Sequence, residues 1–120
     1  MRHHVKNRTL GRDKRQRTAL LRSLARSIIL QEGIVTTITK AKEVRPFVER
    51  LVTTSKKNTV ASRRDVMTRL NSATATKKLH DTIAPRYATR AGGYTRIVRI
   101  GREGKRVHDA ARIEFVQDKK

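Results

Sequence analysis

Residues 34–57, IVTTITKAKEVRPFVERLVTTSKK, decide how the chain folds, because the spacing of their apolar side chains changes part-way through. From Ile34 to Ile38 the pattern alternates. Ile34 and Ile38 flank Thr36 on one face, Val35 and Thr37 take the other, and all five residues are β-branched. Such side chains pack well on a pleated surface, so the segment reads as a strand. Thr39 then caps a helix in which Ala41, Val44, Phe47, Val48, Leu51 and Val52 form one apolar stripe. Pro46 falls near the opposite face. A proline costs about 3 kcal/mol in an unadapted helix interior, so the reading is one helix bent at that residue.

Working upstream, the segment from Asp13, an N-cap residue, to Gly33, a C′ residue, is helical. Leu20, Leu21, Leu24, Ala25, Ile28 and Ile29 share a broad face. On the other side Arg15, Arg22 and Arg26 fall within about 40° of one another at 100° per residue. No acid interrupts this ridge before Glu32, which favours phosphate contact over an ordinary solvated face. Residues 1–17, MRHHVKNRTLGRDKRQR, hold seven basic residues and one acid, with only Val5 and Leu10 as sizeable apolar groups. A segment of that composition cannot build a core and reads as an arm that orders on an anion. The expected division is a basic arm at 1–13, one domain at 14–116 and a polar tail at 117–120.

Downstream, Asn58 or Thr59 starts a shorter helix through Leu70, with Val66 and Met67 inward, and Asn71 and Ser72 end it. A fourth helix from about Thr74 to Ala84 carries Ala75, Leu79 and Ile83 four residues apart, and Pro85 stops it. His80 on that helix reads as a surface or cap residue. Residues 86–106, RYATRAGGYTRIVRIGREGKR, return to seven basic residues against one acid. The Gly92-Gly93 pair permits a turn into a strand from Tyr94 to Ile100. A basic loop leads to a last strand, Ala111 to Val116, with Ile113 and Phe115 on one side and Arg112 and Glu114 on the other, which makes a long-looped hairpin. The order is therefore helix, strand, three helices, two strands.

Composition narrows the function. The 120 residues suit a single core. With 30 Lys and Arg against 10 Asp and Glu, the formal charge is +20 and the isoelectric point about 11.7. Self-repulsion on that scale destabilises a free compact state, so a polyanionic partner is implied. No run approaches the ~18 apolar residues of a membrane span. Tryptophan is absent and the aromatics are Phe47, Phe115, Tyr87 and Tyr94, so no membrane partner is expected. The N-terminus lacks a secretory apolar stretch; a cleaved mitochondrial presequence fits less well, since those are richer in Ser and amphipathic. There are no cysteines, which excludes disulfides and thiolate zinc sites and suits the reducing cytosol.

Catalytic motifs are missing: the acids are scattered, there is no phosphate loop, and His108 and Asp109 read as turn residues. No enzyme, cofactor, metal or small-molecule substrate is expected, His3 and His4 having no further ligand cluster beside them. Arginine and lysine attract phosphates, and arginine adds bidentate forks and stacking. Four aromatics are too few for a single-strand stacking platform, which favours recognition of folded RNA by its backbone and shape. Tyr94 is the aromatic expected to meet RNA, with Phe47 and Phe115 assigned to the core. A helix-turn-helix DNA reader is the rival class, disfavoured because the charge is spread over arm, ridge and loop. The residues expected at RNA are Arg2, His3, Lys6, Arg8, Arg12, Lys14, Arg15, Arg17, Arg22, Arg26, Lys40, Lys42, Arg86, Arg90, Tyr94 and Arg96.

Residues 34–57, with MRH and LGR near the start, KLHDTIAPRYATRAGGYTRIVRIG at 78–101 and the closing ARIEFV, carry a resemblance over nearly the whole chain. Its most specific parts are Lys40-Ala41-Lys42-Glu43 and Arg90-Ala91-Gly92-Gly93-Tyr94-Thr95-Arg96-Ile97. The sequence resembles the bacterial-type large-subunit ribosomal proteins seventeenth in that subunit's series. It departs from the family pattern at Arg15-Gln16 and at His108-Asp109. The resemblance implies an α+β, two-layer α/β fold and a structural constituent of the large subunit. It also implies large-subunit ribosomal RNA and neighbouring ribosomal proteins as partners, and a cytoplasmic, bacterial ribosome with the protein near the exit of the peptide tunnel.

Overall fold

A computed structural model describes residues 10–103 and 108–117. The order along the chain is α1 (Lys14–Gln31), β1 (Gly33–Thr37), α2 (Ile38–Lys56), α3 (Val60–Leu70), α4, β2 (Thr95–Glu103) and β3 (His108–Phe115). Helix α4 runs without a break from Ala73–Lys78 through a π turn, Leu79–Ile83, to a last turn, Ala84–Arg86. This is the α+β arrangement expected, helix-strand-three helices-two strands. The arm at 1–9 and the residues at 104–107 and 118–120 lie outside the described residues.

The sheet order is β1-β3-β2, with both pairings antiparallel. The last strand therefore enters between the other two. Register places Ile34 opposite Ile113 and Ile113 opposite Ile97, and these three point at the helices. The alternate row, Val35, Arg112 and Val98, is exposed on the outer face. The register slips between Arg99 and Gly101, where Gly101 takes φ 119°, a bulge that steps the outer end of β2 by one residue.

Helices cover one face of the sheet only. The core joins Ala25, Ile28 and Ile29 of α1, the Ala41, Val44, Val48, Leu51 and Val52 stripe of α2, and Val66 and Leu70 of α3. It is completed by Ala75, Leu79 and Ile83 of α4 and by Ile113 and Phe115 of β3. Each fully buried Val, Ile or Leu contributes about 1.5–3 kcal/mol of transfer free energy, so this apolar cluster holds the fold. Exposed ion pairs, at about 0–1 kcal/mol each, do not.

Several boundaries differ from the sequence reading, each for a local reason. Helix α1 reverses at Glu32, in the left-handed region with φ 64°, and not at Gly33. Gly33 is instead the first residue of β1. A Cβ there would stand 2.6 Å from an Arg112 guanidinium nitrogen and 3.0 Å from the Glu114 Cβ. Thr37, not Thr39, caps α2, accepting from the Lys40 N–H at 3.3 Å, so Ile38 is helical. The α4 segment starts after Ser72, whose side chain accepts from the Ala75 N–H, and it continues past Pro85 to Arg86. A proline has no N–H for the next rung and its ring crowds the i−4 carbonyl; the π turn before it, with the Ala84 N–H on the Leu79 carbonyl, accommodates it. His80 is buried within that turn, Nδ1 3.1 Å from the Thr76 carbonyl. Met67 is exposed while Val66 is buried. β2 extends to Glu103 and β3 starts at His108, so Asp109 belongs to a strand, and the basic loop expected between the two strands falls at 104–107, outside the described residues.

The aromatic residues correct a second expectation. Tyr94, expected to meet RNA, is 1% exposed. Its ring packs 5.2 Å from that of Tyr87, which in turn lies 6.3 Å from Phe115. The cause is geometric: the Gly92-Gly93 turn leads into β2 with Tyr94 set against Tyr87, the residue that closes α4, where burying a ring is favourable. Its hydroxyl is met by Lys56 Nζ and Thr53 Oγ1, both at 3.2 Å. Phe47 is half-buried, packed against the core along one side only.

Candidate nucleic-acid interface

The basic side chains are distributed over several faces, and their partners separate them into two groups. In the first, the cation is already engaged within the protein. Arg26 donates from its guanidinium to the Leu70 carbonyl at 2.9 Å, closing the C-terminus of α3. Arg86 binds Glu32, which Lys78 also approaches while donating to the Leu30 carbonyl at 2.7 Å. Arg96 and Arg112 share Glu114 at 2.8 and 3.1 Å. Arg90 Nε donates to the Gly92 carbonyl at 3.2 Å, and Arg12 donates to the Leu10 carbonyl at 2.6 Å.

In the second group the cation faces outward. Lys14, Arg15 and Arg22 line one shallow depression along α1 with Thr18 and Ala19. Lys14 and Arg15 are exposed; Arg17 and Arg22 are half-buried. Of the expected ridge of Arg15, Arg22 and Arg26, the first two line this depression together with Lys14, while Arg26, at the right angular position, is turned onto the protein. Lys42 is exposed and Lys40 half-buried in the first turns of α2. Arg2, His3, Lys6 and Arg8 lie outside the described residues.

Sequence reasoning passed over a further set. Arg63, Arg64 and Lys77 border a depression between α3 and α4 beside Met67 and Asp81. Arg50 is exposed on α2, and Arg99 and Arg102, which fall in the basic 86–106 stretch that the sequence singles out, are exposed on β2. The sequence signal for this set is the adjacent Arg63-Arg64 pair near the start of α3.

Electrostatics sharpen the contrast. The hydrogen bond from Arg86 holds the Glu32 carboxyl below its ordinary value of 4.5, against the opposing effect of burial, with the charges of Arg86 and Lys78 assisting. Hydrogen bonds from Arg96 and Arg112 do the same at Glu114. Ion pairs also form between Arg63 and Asp81, Arg69 and Asp65, Arg45 and Glu49, and Arg102 and Asp109. Six carboxylates, those of Glu32, Glu49, Asp65, Asp81, Asp109 and Glu114, are paired in these contacts, while exposed cations such as Lys14, Arg15, Lys42, Arg50, Arg64 and Arg99 stand outside them. Among the described residues no cluster of His, Asp and Glu has the makings of a metal site, and no helix is long and apolar enough to cross a membrane.

Comparison with known proteins covers most of the chain. A family model described as Ribosomal protein L17 matches residues 20–116, from the middle of α1 to just past the end of β3. The chain belongs to the ribosomal protein L17 family. It is 48% identical over 118 residues to the "Large ribosomal subunit protein bL17" of Hydrogenobaculum sp., covering 98% of this chain and 100% of that relative. It is 44% identical over 117 residues to the protein of the same name from Erythrobacter litoralis, covering 98% and 81%. The match to the Sulfurihydrogenibium sp. protein of that name is 47% over 120 residues, with 98% of each covered. The segment matched by the family model contains most of α1 and all of β1, α2, α3, α4, β2 and β3. Residues 1–19 precede it.

Proposed function

We propose that this L17-family protein is a structural constituent of the large ribosomal subunit that holds folded ribosomal RNA by many phosphate contacts, in the bacterial cytoplasm and near the exit of the peptide tunnel. The observation that carries the reading is the distribution of charge: most of the described carboxylates are already paired with cations of the protein, and a surplus of exposed cations remains, Lys14 and Arg15 on α1, Lys42 and Arg50 on α2, Arg64 and Lys77 beside the α3–α4 depression and Arg99 on β2. A field of one sign spread over several faces suits a protein surrounded by one large RNA. The large-subunit assignment draws on the names of its relatives, and the tunnel-exit position on the family resemblance.

In this reading Lys14, Arg15, Arg17, Arg22, Lys40 and Lys42 contact phosphates directly, together with Arg2, His3, Lys6, Arg8 and Arg12 of the N-terminal region. Arg86, Arg90 and Arg96 hold protein carboxylates or carbonyls and meet RNA through their remaining donors. Neighbouring large-subunit proteins are secondary partners. No reaction is catalysed; the work is to fix RNA geometry.

Two measurements test it. If about 8 phosphates are engaged, the affinity for large-subunit RNA falls with salt at a log–log slope of roughly −6 to −7. An affinity nearly independent of salt would sink the reading. Sedimentation of the tagged protein from a lysate in high salt is expected to place it with large subunits, and recovery on chromosomal DNA would favour the DNA-binding alternative.

A further inference from the structure

Between α2 and the turn that precedes β2 lies an open cleft of about 460 Å³, within the ~300–1,000 Å³ range of small-ligand sites. One wall is α2, with Phe47, Arg50 and Thr54; the other is Gly92 and Gly93, and Arg69 of α3 closes one end. Four features of this cleft point outward, to something that occupies it.

The first is Phe47. It continues the apolar stripe of α2, yet it is only half-buried, resting on the core while also lining the cleft. A half-covered aromatic ring beside arginines is suited to stacking a flat group. The second is Arg50, exposed on the same wall and forming no ion pair with another described residue. The third is Gly92. Gly93 needs to be glycine because its φ is +64°, but Gly92 has no positive φ, and a Cβ added to it would meet nothing within 4 Å. Nothing in the described protein accounts for the missing side chain at 92, whereas close approach of an outside group to the backbone would. The fourth is Glu49, the cleft's one acid, which is already spent: one carboxylate oxygen accepts from the Tyr94 N–H at 2.9 Å and the other lies 3.8 Å from Arg45. The cleft therefore combines a ring face, a free guanidinium and a bare stretch of backbone with its acid occupied.

We propose that this cleft holds a single unstacked ribonucleotide of the ribosomal RNA, its base against Phe47 and its phosphate between Arg50 and the Gly92-Gly93 backbone. The proposal rests on the RNA-binding reading and adds to it one place where a base, and not only phosphate, is gripped. The buried Tyr94 forms the floor of the cleft and does not stack on the base. A helical RNA segment would not enter so narrow a space, so the nucleotide taken is one splayed out of a loop or bulge.

The test uses the full chain carrying Phe47→Trp, whose tryptophan is the only one present, since the sequence contains none. Titrated with purified large-subunit ribosomal RNA, its emission is expected to fall as a base stacks on the indole, while inorganic polyphosphate, which has no bases, leaves it unquenched. In parallel, Gly92→Ala is expected to keep the parent's melting temperature and to weaken ribosomal-RNA binding by about 5–10-fold, the scale of losing one stacked base. RNA bound at parental affinity by Gly92→Ala, with the Phe47→Trp emission unchanged, would overturn the nucleotide cleft and leave the phosphate-binding reading standing. Failure of the unaltered protein to bind the RNA at all would overturn both.

Discussion

Glu32 gathers several local constraints into one residue. Its backbone occupies the left-handed region, which costs a non-glycine residue about 1–2 kcal/mol. Its carboxylate is held by Arg86 and approached by Lys78, and its carbonyl accepts from the Phe115 N–H at 3.1 Å. The end of α1 is thereby tied to α4 and to β3 at once. Because the folded-state pKa of Glu32 is depressed, the unfolded chain takes up the proton first as pH falls. The pair's contribution is full above about 4.5, the ordinary value, and is lost as pH drops through the depressed folded value. Glu32→Gln is therefore expected to melt below the parent at neutral pH, with the gap closing under about pH 4.5; thermal melts across a pH series would read it, and a gap that stayed constant would trace the loss to packing alone. Gly33, next along, is limited by space and not by its backbone. Gly33→Ala should cost about 1–3 kcal/mol in urea denaturation, because Arg112 can swing away but the Glu114 Cβ on the paired strand cannot.

At the scale of elements, the four helices differ in what fixes them. α2 is held by its buried stripe and tolerates Pro46 because that residue is exposed on the face away from the core. α3 buries only Ser62, Val66 and Leu70, so its ends matter more. At its start Thr59 accepts from the Ser62 N–H at 3.0 Å while Ser62 Oγ accepts from the Thr59 N–H at 2.9 Å, a reciprocal capping box. Thr59→Ala is expected to destabilise by about 1 kcal/mol, and hydrogen exchange should accelerate in α3 first. The beginning and end of α3 were legible in the sequence because Thr59, Asn71 and Ser72 are short-range signals. The continuation of α4 through Pro85 was not, since a π turn is a compromise between the proline and the packing of Leu79 and Ile83 on other elements.

For the molecule as a whole, every residue of the hydrophobic cluster lies at Ala25 or beyond, apart from the partly buried Leu21 and Leu24 that flank it. Deleting residues 1–12 keeps the Asp13 cap of α1 and is expected to leave the circular-dichroism spectrum and melting temperature nearly unchanged while weakening binding to ribosomal RNA. Loss of the folded spectrum would show that the N-terminal region belongs to the core.

The sequence alone determined the order of elements, the single core, the cationic surplus and the family, because apolar periodicity, caps and motifs are all local in the chain. It also placed Ile113 and Phe115 inward and Arg112 outward, since alternation along one strand is local too. The tertiary structure alone decided that β3 runs between β1 and β2, that Tyr94 is core, that Phe47 faces a cleft, and that Arg26 and Arg86 serve the protein before any partner. Each of those depends on which distant surface a side chain meets. Arg15 and Arg26 look alike in the sequence; only the position of the Leu70 carbonyl, across the packed helices, separates the outward cation from the one that closes a helix.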